Sequence, residues 1–400
     1  MRVWYIVCAS VITFLAQISG VYGWNELCRE AIESTAMSAI TYMRLRRLKV
    51  ILKGSDLVDY TWWGDEVLKR IPESYPLHYQ FQTDTTCSSY NFTCENGLCL
   101  VSGVRYFFYL LMNAGYAIND STQPNFQQPE FKYPKDIKFS PSDCLKYLVV
   151  LISDLHHPLH LDFKGADSIG NLPVDLTDFP VWKEMAMEIL GTYAPSLSAF
   201  IREVYMPEYI RMNENAWYGS WTHVATLGSR YTTELELFNR KLTDTFEVWA
   251  VETASLNCST LFSRDDVVPM NSIPGFTHAI KFTQELDERL GYLLRFQIVL
   301  AGARIAIVIN YILTHREISY NEKTGLLIEK DPAKEFTWET LLFCFLFLIF
   351  LSFLVALIVV FVVVSRMLYK QCLEEKFRNF FAKFKRPRSH RYSPINRLPE

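Results

Sequence analysis

Ser153-Asp154-Leu155-His156-His157-Pro158-Leu159-His160 closes an apolar helical run that begins near Leu145. Asp154, His156, His157 and His160 put four potential metal ligands within one short stretch, and Pro158 stops the helix among them. An aspartate and a histidine facing inward from an apolar helix are costly to bury unless something positive meets them. The identity of that positive partner decides what the domain can do.

Outward from this stretch, the two ends of the chain set its compartment. Residues 1–23 have the layout of a secretory signal peptide: Arg2, an apolar core through Ile18, and small residues at Val21 and Gly23. Cleavage there makes Trp24 the new N-terminus. Leu341–Val364 is uncharged and apolar, long enough to cross the ~30 Å hydrocarbon of a bilayer. Trp338 marks one interface, and Arg366 and Lys370 the other. The tail, 366–400, holds ten Lys/Arg against three Glu. The positive-inside rule therefore predicts a type I protein: ectodomain 24–316, stalk 317–337, span 338–365 and a cytoplasmic tail. Phe377, Phe380, Phe381 and Phe384 recur among basic residues, so the tail predicts an amphipathic helix on anionic inner-leaflet lipid. A disordered basic tail is the alternative.

With the tail set aside the ectodomain is acidic, which excludes a general attraction for nucleic acid and leaves only local contacts. Its six cysteines, Cys28, Cys87, Cys94, Cys99, Cys144 and Cys258, suit an oxidising compartment and permit three bridges. Sequons at Asn91, Asn119 and Asn257 make glycosylation possible. Apolar residues at threes and fours predict helices from Trp24 to about Ile51, up to Arg70, Leu100–Ala117, Leu145 onward, Val181–Leu190, Leu197–Tyr205, Thr232–Ala254 and Phe282–Thr314. The class is all-α, with few or no strands.

These pieces resemble the single-strand-specific zinc nucleases (class I nucleases, or 3′-nucleotidase/nucleases), whose all-α fold is similar to zinc phospholipase C. Asp154-Leu155-His156-His157-Pro158-Leu159-His160 looks like that family's D-I-H-Q-P-L-H. Trp62 with Asp65 resembles its W-x-x-D step, and His78-Tyr79 its histidine-aromatic pair. Gly170-Asn171, Trp249 with Glu252 and Cys258, and Ala301-Gly302-Ala303-Arg304 through Asn310 follow in family order. The resemblance implies bridges Cys94–Cys99 and Cys87–Cys258 and a base-stacking role for Tyr79. Cys28 and Cys144 lack counterparts, so a third bridge between them is expected to tie the N-terminal segment to the central helix.

The family holds three zinc ions, and the carry-over is incomplete. One site maps onto Asp65, His78, Val150 and Asp154, with valine where a histidine is needed. A second maps onto His160, Phe179 and Lys183, and only His160 can ligate. The third maps onto Trp24, Arg29 and Asp154, with arginine in place of histidine. Zinc wants four N, O or S donors, and activating a water takes three from protein. Trp24, Asp65, His78, Asp154 and His160 are thus residual metal candidates for at most one zinc ion. The reading that follows is a pseudo-nuclease: fold kept, metal-dependent cleavage lost. Arg29 and Lys183 are expected to place fixed cations beside Asp154, and the pocket to bind a nucleotide, single-stranded nucleic acid or another anion. The competing readings are a residual one-metal enzyme on Asp65, His78 and Asp154, a fully active zinc nuclease, and a surface receptor or adhesin.

Overall fold

The computed structural model describes residues 23–114, 116–117, 139–214, 221–259, 266–269, 276–318 and 338–384. The signal-peptide reading of residues 1–22, the Asn119 sequon, nearly all of the stalk and residues 385–400 lie outside them. The chain divides into two compact units, Met1–Glu329 and Lys330–Glu400.

The first unit is mostly helical, as the periodicity predicts. Its helices are α1 (Glu26–Ala39), α2 (Tyr42–Ile51), α3 (Trp63–Arg70), α4 (Leu100–Asn113), α5 (Pro141–Leu155), α6 (Pro180–Leu190), α7 (Met206–Met212), α8 (Ser229–Lys241), α9 (Thr245–Ser259) and α10 (Gln284–His315). Strands are vestigial. Val174–Asp175 pairs parallel with His278–Lys281, which pairs antiparallel with Val267–Pro269; Tyr116–Ala117 pairs with Arg316–Glu317.

Three boundaries differ from the periodic reading. The first run breaks at Ile40, where extended backbone separates α1 from α2. The run from Thr232 to Ala254 breaks at Leu242, whose φ of 50° no helix accommodates. Tyr75–Phe81, which its punctuation marks in the sequence as an extended crossing, instead forms 3-10 turns from Pro72 through His78 and becomes extended only at Tyr79. At Ile40 and Leu242 the apolar spacing continues across a backbone break that side-chain periodicity does not record.

Helix α5 is the axis of the core. Ser140 caps its first turn reciprocally with Asp143, Pro141 occupies the first helical position, and nearly every residue from Cys144 to Leu155 is buried. Helix α10 passes close to α1 because residue 302 is glycine: a Cβ there would stand 2.5 Å from the Ile32 carbonyl oxygen. That approach explains the Ala301-Gly302 pair of the closing helix.

Cys87 is bridged to Cys258 and Cys94 to Cys99. The expected third bridge is not formed. Cys28 and Cys144 are separate buried thiols, and burial pushes Cys144 up to about 12. Asn257 also departs from expectation. It is buried on α9 and its side-chain amide donates to the Pro158 carbonyl at 2.7 Å, so the folded protein has no room for a glycan there. Asn91 is exposed.

Among the described residues the second unit contains one helix, α11 (Trp338–Phe384). Its stretch Phe345–Lys376 is long and apolar enough to cross a membrane and none of it is buried. Helix α10 meets the same length and composition test, but 83% of its most apolar 18-residue stretch is buried, which makes it a core helix. Helix α11 continues without interruption through the basic segment as far as Phe384.

Candidate functional site: a buried acidic and histidine centre

Helix α5 ends at Leu155, and a 3-10 turn at Pro158–Leu161 folds the chain back. The turn brings Asp154 and His160 to one place, beside His78 from the preceding 3-10 segment. All three are buried. His78 Nδ1 donates to Asp154 Oδ2 at 2.6 Å. His160 Nδ1 lies 4.0 Å from Asp154 Oδ1 and donates to the His78 carbonyl, which leaves its Nε2 bearing the lone pair.

Burial opposes ionisation of Asp154, but His160, His78 and Arg29 outweigh it and hold its carboxyl below the usual range. Burial pushes His160 down to about 4 and His157 well below the ordinary histidine value. Asp154 Oδ1, His160 Nε2, His78 Nε2 and His157 Nδ1 are buried without a hydrogen-bond partner. Native interiors rarely leave such atoms orphaned, so four in one place mark a site rather than packing.

Trp24 and Gly23 close this centre. The Trp24 indole donates to the Ser153 carbonyl at 2.9 Å and meets the His157 ring edge-on, with centroids 4.6 Å apart. Gly23 is buried. A Cβ on Gly23 would stand 2.6 Å from both Asp154 Oδ1 and His160 Nε2, so its backbone lies directly against the unpartnered atoms.

Asp65 is held elsewhere. Its Oδ1 is 3.1 Å from Arg29 Nη2 and its Oδ2 is 3.0 Å from Arg202 Nη2. Glycine at position 64 makes this possible, because a Cβ there would stand 2.8 Å from Arg29 Nη1. The expected Arg29–Asp154 ion pair is therefore replaced by Arg29–Asp65. Lys183, expected as the second fixed cation, lies with its ammonium 5.4 Å from the Tyr193 ring centroid and makes no ion pair with Asp154. Phe179 packs edge-on against Phe282 at 4.9 Å, and Val150 is buried in α5.

The second cation of this group is Arg202, and it pairs with Asp65 rather than with Asp154. The sequence does signal it, as a lone arginine in the apolar run Ala199-Phe200-Ile201-Arg202. What sequence reading misses is the local backbone: residues Phe200–Tyr205 form π-helical turns, which re-aim side chains and recur at functional sites.

The donors present do not fit the zinc cluster that the resemblance implies. Two ligands of one tetrahedral zinc, each about 2.0 Å from the metal, stand roughly 3.3 Å apart. His78 Nδ1 and Asp154 Oδ2 are bonded to each other at 2.6 Å, which leaves only His78 Nε2 and Asp154 Oδ1 of that pair open. Asp65 has both oxygens committed to guanidinium groups. Among the described residues no group of three or more His, Cys, Asp or Glu is arranged to hold a metal ion.

Beside the centre is a cavity of about 270 Å³ lined by Tyr75, Tyr79, Phe81, Asn96, Leu98 and others. Tyr79 stacks on His160 at 4.5 Å and lies parallel to Phe81 at 5.9 Å, so its ring is committed to neighbours. Tyr75 and Phe81 present more surface than Tyr79 does. The Lys164–Glu95 ion pair sits at the cavity wall.

On the opposite side of the same segment the buried charges are fully paired. Arg304 Nε and Nη2 each donate to Glu234 at 2.9 Å, Nη2 also meets Glu252, and Nη1 meets His156 Nε2 at 2.8 Å. Trp249 Nε1 donates to Glu234 at 2.8 Å. His156, read from sequence as part of the ligand cluster, thus belongs to a structural network.

The helical fold, with its central Asp154–His160 segment and paired cysteines, defines a nuclease-like all-α domain. A curated relative, Endonuclease 2 of Arabidopsis thaliana, is 24% identical over 159 residues, covering 38% of this chain and 49% of that protein. The chain thus spans about half the length of the curated relative it matches, and the relationship is distant. No protein-family profile matches the chain.

Proposed function

We propose that this is a type I membrane protein whose nuclease-like ectodomain no longer performs zinc-dependent phosphodiester cleavage. The observation that carries this reading is the pairing of Asp65 with Arg29 and Arg202. Two guanidinium groups occupy the carboxylate that a dication would need, and like charge opposes any ion placed between them. Phosphodiester hydrolysis by such a cluster needs one metal to generate hydroxide and others to stabilise the attacking and leaving oxygens. Val150, Phe179 and Lys183 offer no donors for that purpose.

The binding half of the proposal is a nucleotide or short single-stranded nucleic acid held without hydrolysis. The aromatic cavity has the volume for a single ring system. Tyr75 and Phe81 rather than Tyr79 provide the stacking faces, and Lys164 provides a cation at the wall. A basic tail on anionic inner-leaflet lipid and a glycan at Asn91 complete the assignment. The test is purified ectodomain supplied with zinc and assayed on single-stranded DNA and 3′-nucleotides, with thermal stability read alongside. The proposal expects no cleavage and a stabilising shift with nucleotide. Turnover above a metal-free control would overturn the first half, and no shift with any nucleotide the second.

A further inference from the structure

Helix α2 is opposite in charge to the acidic ectodomain around it. Between Tyr42 and Lys53 the chain carries Arg44, Arg46, Arg47, Lys49 and Lys53 and no acidic residue. The helix buries Leu48 and Ile51, and Leu52 is buried at its cap. The other face leaves Tyr42, Met43 and Val50 in solvent at 74%, 65% and 52% exposure, beside the exposed Arg46 and Lys53. One exposed apolar side chain needs no explanation, but this helix mixes several with cations on a single face. Lys49 bridges to Asp56 at 3.0 Å, whereas Arg46 forms no ion pair among the described residues.

The basic and aromatic character continues past the end of α2. Tyr60 donates its hydroxyl to the Leu52 carbonyl at 3.0 Å, and the Lys146 ammonium stands 3.7 Å from the Tyr60 ring centroid. Trp62, half exposed, lies 6.5 Å from the Tyr60 ring. Burial, together with Lys53 and Arg70 nearby, holds the Lys146 ammonium below the ordinary lysine range, and Asp143 offsets only part of this. At the other side of α2, Arg47 Nη1 donates to the Leu313 carbonyl at 2.9 Å, in the last turn of α10. Helix α2 therefore belongs to the end of the ectodomain from which the chain runs on to residues 319–337 and the apolar helix α11.

We propose that α2 is a membrane-docking surface, with Tyr42, Met43 and Val50 entering the interfacial layer of the bilayer that anchors the chain and Arg46, Lys49 and Lys53 meeting lipid phosphates. The proposal rests on the type I membrane reading. A lipid surface is the occupant that both halves of the patch fit. A soluble polyanion would pair with the cations and leave Met43 and Val50 in water, and an apolar protein face would bury the cations without partners. The headgroup layer takes apolar tips and long basic side chains together. The patch is small, but the chain is already tethered: residues 319–337 span about 70 Å at most when fully extended, so a weak contact acts at high effective concentration.

The experiment uses the full-length chain reconstituted into vesicles of phosphatidylcholine alone, or in a two-to-one mixture with phosphatidylglycerol, with a detergent sample as reference. A membrane-impermeant amine reagent is applied and each lysine is followed by mass spectrometry, with the exposed Lys241 of α8 as internal standard. Relative to Lys241, Lys49 and Lys53 should label at least about fivefold more slowly in the mixed vesicles than in detergent, with a smaller effect in phosphatidylcholine alone. The Met43→Glu/Val50→Glu double variant changes only exposed positions and should lose the protection. Labelling ratios that are the same in vesicles and detergent overturn the proposal, as does protection that survives in the double variant. Protection by soluble heparin in detergent, with none from the vesicles, would assign the patch to a sulfated polyanion and also overturn it. A chain that alkaline carbonate strips from the vesicles overturns instead the membrane reading beneath the proposal.

Discussion

The segment from Ser153 to Leu161 faces two buried charge clusters that differ in one respect. On one side, none of Arg304, Glu234, Glu252, His156 and Trp249 leaves a buried polar atom unpartnered. On the other, Asp154, His78, His157 and His160 each leave one. A closed network, satisfied within itself, fixes how α8, α9 and α10 meet the central helix and has nothing left with which to bind. The open one carries polar atoms whose burial is justified only by a further partner. The difference separates a cluster that serves as framework from one whose polar atoms remain open.

The comparison breaks most visibly at Arg304. Arg304→Met should cost about 3 kcal/mol in chemical denaturation, because it strips the buried Glu234 of its buried partner and leaves only the more exposed Arg230 to pair with Glu234 and Glu252. A cost under about 1 kcal/mol would mean the network is not structural.

Acid should act on the same side. Burial holds His156 well below 6.5, so the unfolded chain takes up that proton first and stability falls as pH drops below 6.5. A protonated His156 can no longer accept from Arg304. A denaturation series across this range should show the decline, and His156→Gln should make it shallower, with His157 and His160, also held down by burial, carrying the remainder.

On the open side the effects are smaller. Arg202→Met removes one of two guanidinium groups from Asp65, whose side chain is 30% exposed, so screening limits the loss to about 0.5–1 kcal/mol. A loss as large as that at Arg304 would contradict the view that this side is only partly satisfied. The smallest effect concerns surface chemistry rather than stability. Asn91→Gln should remove one glycan from the secreted ectodomain by mass, whereas no peptide carrying a glycosylated Asn257 should be found.

Much of the fold is legible in the sequence because a helix core repeats its apolar residues at threes and fours, and α5, α6 and α10 fall close to where that spacing puts them. The backbone breaks at Ile40 and Leu242 escape it, since side-chain periodicity continues across them. The site is legible in its chemistry but not in its pairing. Spacing brings out Asp154 and His160, and the family resemblance adds His78 and Asp65 to them. Which cation answers which carboxylate depends on how elements far apart in the chain meet: Arg29 reaches Asp65 over Gly64, and Arg202 reaches it from a π-turn. Cys28 and Cys144 teach the same lesson. An even cysteine count permits a bridge, but two thiols buried in different surroundings do not make one.

The central claim is that arginine guanidinium groups stand where a metal would be needed. It is tested most directly by adding a strong zinc chelator to the mature ectodomain and following thermal unfolding. The account predicts an unchanged unfolding midpoint, with no zinc released in stoichiometric amount. A marked fall in the midpoint, reversed by zinc, would contradict it.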